Sequence, residues 1–400
     1  MAGGARSYQM ARRLAAMGHE VIMVTSDQHP AADAPAWRES HEAGIRVLWA
    51  AVPYDNVMSY AARIKAFLVF AWRAARKAAE LRGDVVFATS TPLTIALPAV
   101  YAASRAKCPM VFEVRDLWPA VPIAIGAIRN PMLKAAARWL ERFAYRNAAQ
   151  IVALAPGMAA NIVATGYPAE HVTVIPNGCD LDVFAGEAMG RALRNRHSWL
   201  GGRPLLVFAG TFGLVNGMDY LARLAASIGK IDAEVRIVGV GIGRELAATK
   251  ALAERLGVLG NNLFLVGQQP KAEVAGWLQA ADMTIALFTG PDIVWRDAVQ
   301  NKFFDSLAAG KPVANNFEGW QAKIAAEASA GLILSGTDHD AAARDVVRAL
   351  RDPDWLRAAS VAAGKLARTR FNRDALAVQL AAVLDKATAP ARGNQQGHAH

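Results

Sequence analysis

Short apolar runs rich in valine and isoleucine alternate along the chain with longer stretches in which apolar residues recur at helical spacing. The runs predict strands at 21–25, 45–48, 85–88, 110–114, 151–154 and 172–175 in the first half. In the second half they predict strands at 205–209, 235–240, 263–266, 283–287, 312–314 and 332–334, with helices filling the intervals. Strands that are apolar throughout, each followed by a helix, suit a parallel sheet covered on both faces. The fold class is therefore α/β, built as two doubly wound domains. Gly166, Pro168, Pro176 and Gly178 punctuate the stretch 165–177 and place the division there. The expected organisation is a first domain over 1–168, a second over 169–370, a helix over 371–386 crossing back to the first domain, and a disordered tail over 387–400. A cleft between two such domains is the expected ligand site.

The amino terminus departs from this pattern. A doubly wound domain opens with a strand whose end carries a glycine-rich loop into the first helix. Here Gly3 and Gly4 come with no strand before them, and a helix over 8–17 begins at once. Loss of a central strand exposes two sheet edges, so the reading is of a start placed too late or a truncated chain.

At 400 residues, 54% hydrophobic and 20% charged, the chain exceeds one core and is neither disordered nor fibrous. No apolar run approaches the length of about eighteen residues that a membrane-spanning helix needs. Arg6, Arg12 and Arg13 are not followed by the apolar core of a secretory signal, so a cytoplasmic location is expected. Cys108 and Cys179 have neither disulfide nor metal-ligand spacing, and His398 and His400 lie in the Gly/Gln-rich tail. The net charge of +10 points to a polyanionic partner, and +7 of it falls within residues 1–170. In the helix over 60–79, Ile64, Phe67, Leu68, Ala71 and Ala75 form one face, and Arg63, Lys65, Arg73, Arg76 and Lys77 the other. In the helix over 132–146, Lys134, Arg138, Arg142 and Arg146 form a row at intervals of four. Such rows suit anionic lipid headgroups as well as plain solvation. Aromatic residues are not interleaved with them, which disfavours nucleic acid.

Three segments carry candidate chemistry. AGTFGLVNG (209–217) is a glycine-bearing turn from strand to helix, suited to a phosphate or to a simple tight turn. VRIVGVGIGREL (235–246) has Gly239, Gly241 and Gly243, but Arg244 stands where a dinucleotide fingerprint needs its last glycine, and no acidic residue ends the following strand. DAVQNKFFDSLAAGKPVANN (297–316) separates Asp297 from Asp305 by seven residues around Asn301 and Lys302. A carboxylate there can accept paired sugar or ribose hydroxyls, and Lys302 offers a cation to phosphate.

With RRLAAMGHEVIMVTS (12–26), FEVRDLWP (112–119), VIPNGCDLDVF (174–184), FAGTFG, VGVGIG and NKFFDSLAAGKP (301–312), the chain resembles the retaining nucleotide-sugar glycosyltransferases of family 4, which have the two-domain GT-B fold. RDLWP and NKFFD look most like the subgroup that adds N-acetylated amino sugars such as fucosamine in O-antigen and capsule assembly. The resemblance implies a UDP-sugar donor, retention, no metal ion, and a polyprenyl-diphosphate-linked acceptor at the inner face of the plasma membrane. The leaving phosphate would help deprotonate the acceptor. It also implies that Asp305 holds the ribose hydroxyls and Asp297 meets the sugar, each an aspartate where the family has glutamate. The family's diphosphate-binding Arg and Lys fall at Thr211 and Asn216, and its sugar-facing histidine near Arg115 and Asp116. Lys302, with Arg296 and the amides near Phe212 and Gly213, is then expected to meet the diphosphate charge. Asp116 is read equally as acceptor-orienting base or helix cap. Gly4, Gly210, Gly239, Gly241, Gln268, Asn301 and Phe303 complete the expected donor site. A UDP-N-acetylglucosamine 2-epimerase and a non-catalytic binding protein are the alternative readings.

Overall fold

The computed structural model describes residues 6–55, 58–90, 92–184 and 187–389. Gly4 and residues 390–400 of the expected tail lie outside them. The first domain runs α1 (Arg6–Ala16), β1 (Val21–Asp27), β2 (Trp37–Glu42), β3 (Ile45–Ala51), α2 (Tyr60–Leu81), β4 (Val86–Ser90) and α3 (Ala96–Ala106). It continues with β5 (Met110–Val114), α4 (Ala120–Ala124), α5 (Pro131–Arg146), β6 (Gln150–Ala153), α6 (Pro156–Ala164) and β7 (Val172–Val174). Its strands form two sheets, in the orders β1-β3-β2 and β4-β5-β6-β7. Among the described residues, no ladder joins β1 to β4. Burial follows this division: β5 and β6 are buried along their whole length, while every residue of β1 is only half-buried.

β2 corrects the expectation of helix between the first two strands. Its sequence, WRESHE, is polar, and it pairs antiparallel with β3 on one side only. An edge strand with one solvated face has no continuous apolar run to reveal it.

The second domain comprises α7 (Ala188–Arg196), β8 (Leu205–Ala209), α8 (Met218–Ile231), β9 (Arg236–Val240), α9 (Leu246–Arg255), β10 (Leu263–Val266), α10 (Lys271–Ala280) and β11 (Met283–Ala286). It ends with α11 (Asp292–Trp295), α12 (Asn301–Ala308), β12 (Val313–Asn315), α13 (Trp320–Glu327), β13 (Gly331–Ile333), α14 (His339–Leu350) and α15 (Pro353–Thr369). Six parallel strands make one sheet in the order β10-β9-β8-β11-β12-β13. From β8 the chain winds outward in one direction, and from β11 in the other. The winding therefore reverses between β8 and β11, the place where such sheets open a crevice at their carboxyl ends.

Helix α16 (Arg373–Thr388) returns to the first domain, where Leu376, Leu380 and Leu384 share a core with Met10 and Leu14 of α1, Val111 of β5 and Val152 of β6. A buried ionic cluster fixes this return. Asp180 accepts from Arg373 at 2.8 Å and Arg13 at 3.2 Å and lies 3.5 Å from Lys271 of α10. Beside it the fully buried Arg6 binds Glu113 at 2.8 Å and the carbonyls of Ile175 and Pro176. Five segments distant in sequence thus meet at the passage between domains.

The exterior of the first domain differs from the helical-wheel reading. Ile64, Leu68 and Trp72 of α2 form an exposed stripe, 54%, 52% and 61% accessible, whereas Ala66, Ala71 and Ala74 face inward. Arg73 turns in to donate to the Ala51 carbonyl at 2.7 Å, and half-buried Arg63 stacks over Tyr54. On α5, Met132, Leu133 and Trp139 are exposed alongside Arg138, Arg142 and Arg146. Small alanines mark the packed side because α3 lies close, so the large apolar residues are left outside.

Candidate functional site

Parallel strands β8 to β11 end on one edge, and their loops converge there. Gly210, just after β8, donates to the Val240 carbonyl at 2.9 Å, and Gly241, just after β9, donates to Val266 at 2.9 Å. A side chain at Gly241 would collide with the Gly210 carbonyl, and its φ of +144° suits glycine. The two loops are thereby held against each other.

Lys302 enters this junction from the first turn of α12. A Cβ added at Gly210 would lie 3.1 Å from Lys302 Cε and 3.3 Å from Nζ. The ammonium sits 4.2 Å above the Phe208 ring, is shielded from solvent and has no hydrogen-bond partner. Burial pushes its pKa down to about 7. The aromatic face offers only weak compensation for a desolvated cation, so an anion entering beside Gly210 would supply the partner that the ammonium lacks and favour its charged form. One helical turn on, burial raises the Asp305 carboxyl to about 6, against the opposing pull of Lys271 and Arg373. Lys302 thus faces Phe208 and Gly210, whereas Asp305 faces the cluster of Asp180, Lys271 and Arg373.

Other expected residues fall around this pair. Thr211 is exposed on the loop, and Asn216 is tied back to the Thr211 carbonyl, so its side chain braces the loop. Gly213 precedes that turn, Gln268 is exposed just beyond β10, and Asn301 is exposed at the start of α12. Arg115 and Asp116 follow β5 in the first domain, the Arg115 amide bonding Ser90 Oγ at 3.1 Å. The N-cap of α4 is Pro119. Arg296 is exposed and pairs with Asp292 at 3.5 Å.

Three expected donor contacts are corrected. Phe212 is fully buried against Phe208, and its amide already donates to Ile242 at 2.9 Å. Phe303 is fully buried between Phe304 and Phe371. Gly239 lies inside β9, where a Cβ would press on Phe212 at 3.0 Å and Leu265 at 3.1 Å. Each belongs to a motif because it packs the loop or helix that carries the site. Conversely, the reading of the sequence gave no role to Gly157, which packs against the Asp297 carboxylate. Nothing in a glycine at the start of an alanine-rich helix signals a contact with a residue so distant in sequence.

The first half of the chain, residues 2–178, matches the family model described as Glycosyl transferase 4-like domain, and residues 203–352 match Glycosyl transferases group 1. The structure is similar to that of HepE from Anabaena in complex with UDP, with a TM-score of 0.68 over 92% of this chain and 100% of that one, at 16% identity. The chain thus has the GT-B fold, with one segment that matches a glycosyl transferase 4-like domain followed by one that matches glycosyl transferases group 1. Among curated relatives it is 29% identical over 259 residues to D-inositol 3-phosphate glycosyltransferase of Thermobispora bispora, a match covering 60% of this chain and 58% of that protein. It is 25% identical over 284 residues to the GDP-mannose-dependent alpha-(1-6)-phosphatidylinositol monomannoside mannosyltransferase of Mycolicibacterium smegmatis, covering 70% of each. The chain thus spans less than two thirds of the first relative's length. Neither relative is an amino-sugar transferase of O-antigen or capsule assembly, the subgroup that RDLWP and NKFFD suggested.

Proposed function

We propose that this protein transfers a sugar, N-acetylated in our reading, from a UDP-sugar to a lipid-linked or saccharide acceptor in cell-surface polysaccharide synthesis, with retention and without a metal ion. The observation that carries the reading is the buried, partnerless ammonium of Lys302 at the reversal point of the second sheet. When the bond from anomeric carbon to phosphate breaks, its electron pair leaves with the diphosphate, and a cation preorganised in a dry site stabilises that charge. Lys302 supplies the cation, Asp305 accepts ribose hydroxyls, and the acceptor proton passes to the departing phosphate. In this reading Asp116 and Arg115, which follow β5 in the first domain, serve the acceptor side. The UDP in the similar HepE structure supports the nucleotide, while the GDP-mannose-dependent relative makes GDP the natural competitor.

Calorimetric titration tests the donor: UDP is expected to bind more tightly than GDP, and Asp305→Ala to weaken UDP more than Asp116→Ala does. Equal losses in the two variants would remove the ribose role from Asp305. Turnover of UDP-sugars with polyprenyl diphosphate acceptors tests the transfer, and isomerisation of the donor without any acceptor would favour an epimerase.

In the same reading the protein works as a peripheral protein on the inner membrane face, docked through α2 and α5. Exposed Ile64, Leu68, Trp72, Met132, Leu133 and Trp139 would enter the acyl boundary while the flanking arginines meet phosphates. Leu133→Ala combined with Trp139→Ala is expected to reduce binding to phosphatidylglycerol vesicles by about tenfold or more, from the apolar area withdrawn. Cosedimentation measures this, and unchanged binding would place the membrane contact elsewhere.

A further inference from the structure

Helix α6 lacks a cap from its own sequence. Its N-cap is Ala155, which has no side-chain acceptor, and Pro156 follows at the first helical position without an N–H. The next residue, Gly157, packs directly against the carboxylate of Asp297, which arrives from the other domain. The fit is close: a Cβ at Gly157 would overlap Oδ1, Cγ and Oδ2 of Asp297, so the carboxylate occupies the space of the missing side chain. Neighbouring contacts hold the same segment of the second domain against the first. Asn177 Nδ2 donates to the Val299 carbonyl at 2.9 Å, and Val299 and Trp320 pack on the core built around β5 and β6.

We propose that Gly157 is a positioning residue: by accepting Asp297 as a cap supplied from the opposite domain, α6 sets where the first acid of the pair stands, and does so only when the domains are closed. A capping carboxylate gains a charge-assisted bond and a favourable helix end. Opening the cleft forfeits both, so closure and placement of Asp297 are one event. The inference rests on the reading of Asp297 as the acid beside the donor sugar. In that reading a glycine is required at 157 for sugar recognition although it touches no substrate.

The test separates nucleotide from sugar and shape from chemistry. Gly157→Ala is expected to keep UDP affinity within twofold, because the Lys302 site lies elsewhere, and to lower kcat/KM for the UDP-sugar at least tenfold. Small-angle scattering should show a larger radius of gyration for Gly157→Ala than for the unmodified protein. Asp297→Ala should give the same scattering change, and the double variant should be no worse than either single one. Additive losses, or an unmodified radius of gyration in Gly157→Ala, would overturn the proposal. Should the unmodified protein bind no UDP and turn over no UDP-sugar, the donor reading fails, while the scattering comparison still decides whether Gly157 and Asp297 join the domains.

Discussion

Replacing Lys302 with methionine is expected to weaken UDP binding by about ten- to a hundredfold, the equivalent of one or two charge-assisted bonds to phosphate. The same variant is expected to melt later than the unmodified protein at pH 6 without ligand. Both follow from one fact, that a cation is held in a dry place with no partner. Its folded pKa, about 7, lies below that of a free lysine, so the cost of burying the charge is fully present below pH 7 and disappears only as pH rises toward about 10.4. Methionine removes that cost and the binding charge together, a trade of function against stability. Proton linkage gives a third readout. At pH 8 the free lysine is mostly neutral, and a bound diphosphate raises its pKa, so binding takes up a proton. Calorimetry in buffers of different ionisation enthalpy measures the uptake, which should vanish in the variant. Uptake that persists in Lys302→Met, or a variant that binds UDP as well as the unmodified protein, would assign the phosphate to another cation.

Asp180→Ala is expected to cost about 3–5 kcal/mol of unfolding free energy, the range for breaking a buried ion cluster by removing one partner. Burial by itself would raise the Asp180 pKa, but Arg373, Lys271 and Arg13 outweigh it and hold the carboxyl below its usual range. Without the carboxylate, two nearly buried guanidiniums and a lysine face one another. The sign of the pH dependence follows from the lowered pKa. The contribution of Asp180 is complete above the ordinary aspartate value of about 3.9 and is lost as pH falls through the lower folded one. Urea denaturation should therefore show a constant gap between unmodified and variant proteins above pH 5 that narrows in acid. A loss under 1 kcal/mol, on the order of an exposed pair, would show that the cluster carries little.

What the sequence made legible depended on how local the signal was. The strands of the second sheet stand out because each is a short apolar run buried on both faces, whereas their order, and with it the reversal between β8 and β11, appears only in the folded chain. Lys302 and Asp305 were found because they share one helix start. The motif glycines and phenylalanines could not be sorted into those that touch ligand and those that pack, since Phe212, Phe303 and Gly239 carry the same pattern as Gly210 and Gly241. The alternation on α2 likewise gave an amphipathic helix but not its rotation, because alanines fill the packed side. Asp180, Arg373 and Gly157 act across distances in sequence that no periodicity spans, so only the folded chain brings out their roles.

In a continuous sheet, each strand's hydrogen bonds depend on its neighbours, and order spreads sideways through the ladder. Between β1 and β4 that path is interrupted. Among the described residues, 21–51 are joined to the rest of the first domain through side-chain packing, as where Val21 shares a core with Leu14, Val85 and Phe87, and not by a strand ladder. The unit β1-β3-β2 can therefore lose its order without breaking a hydrogen bond of the sheet that carries Arg115 and Asp116. Among the described residues, the two sheets of the domain are therefore separate hydrogen-bonded units.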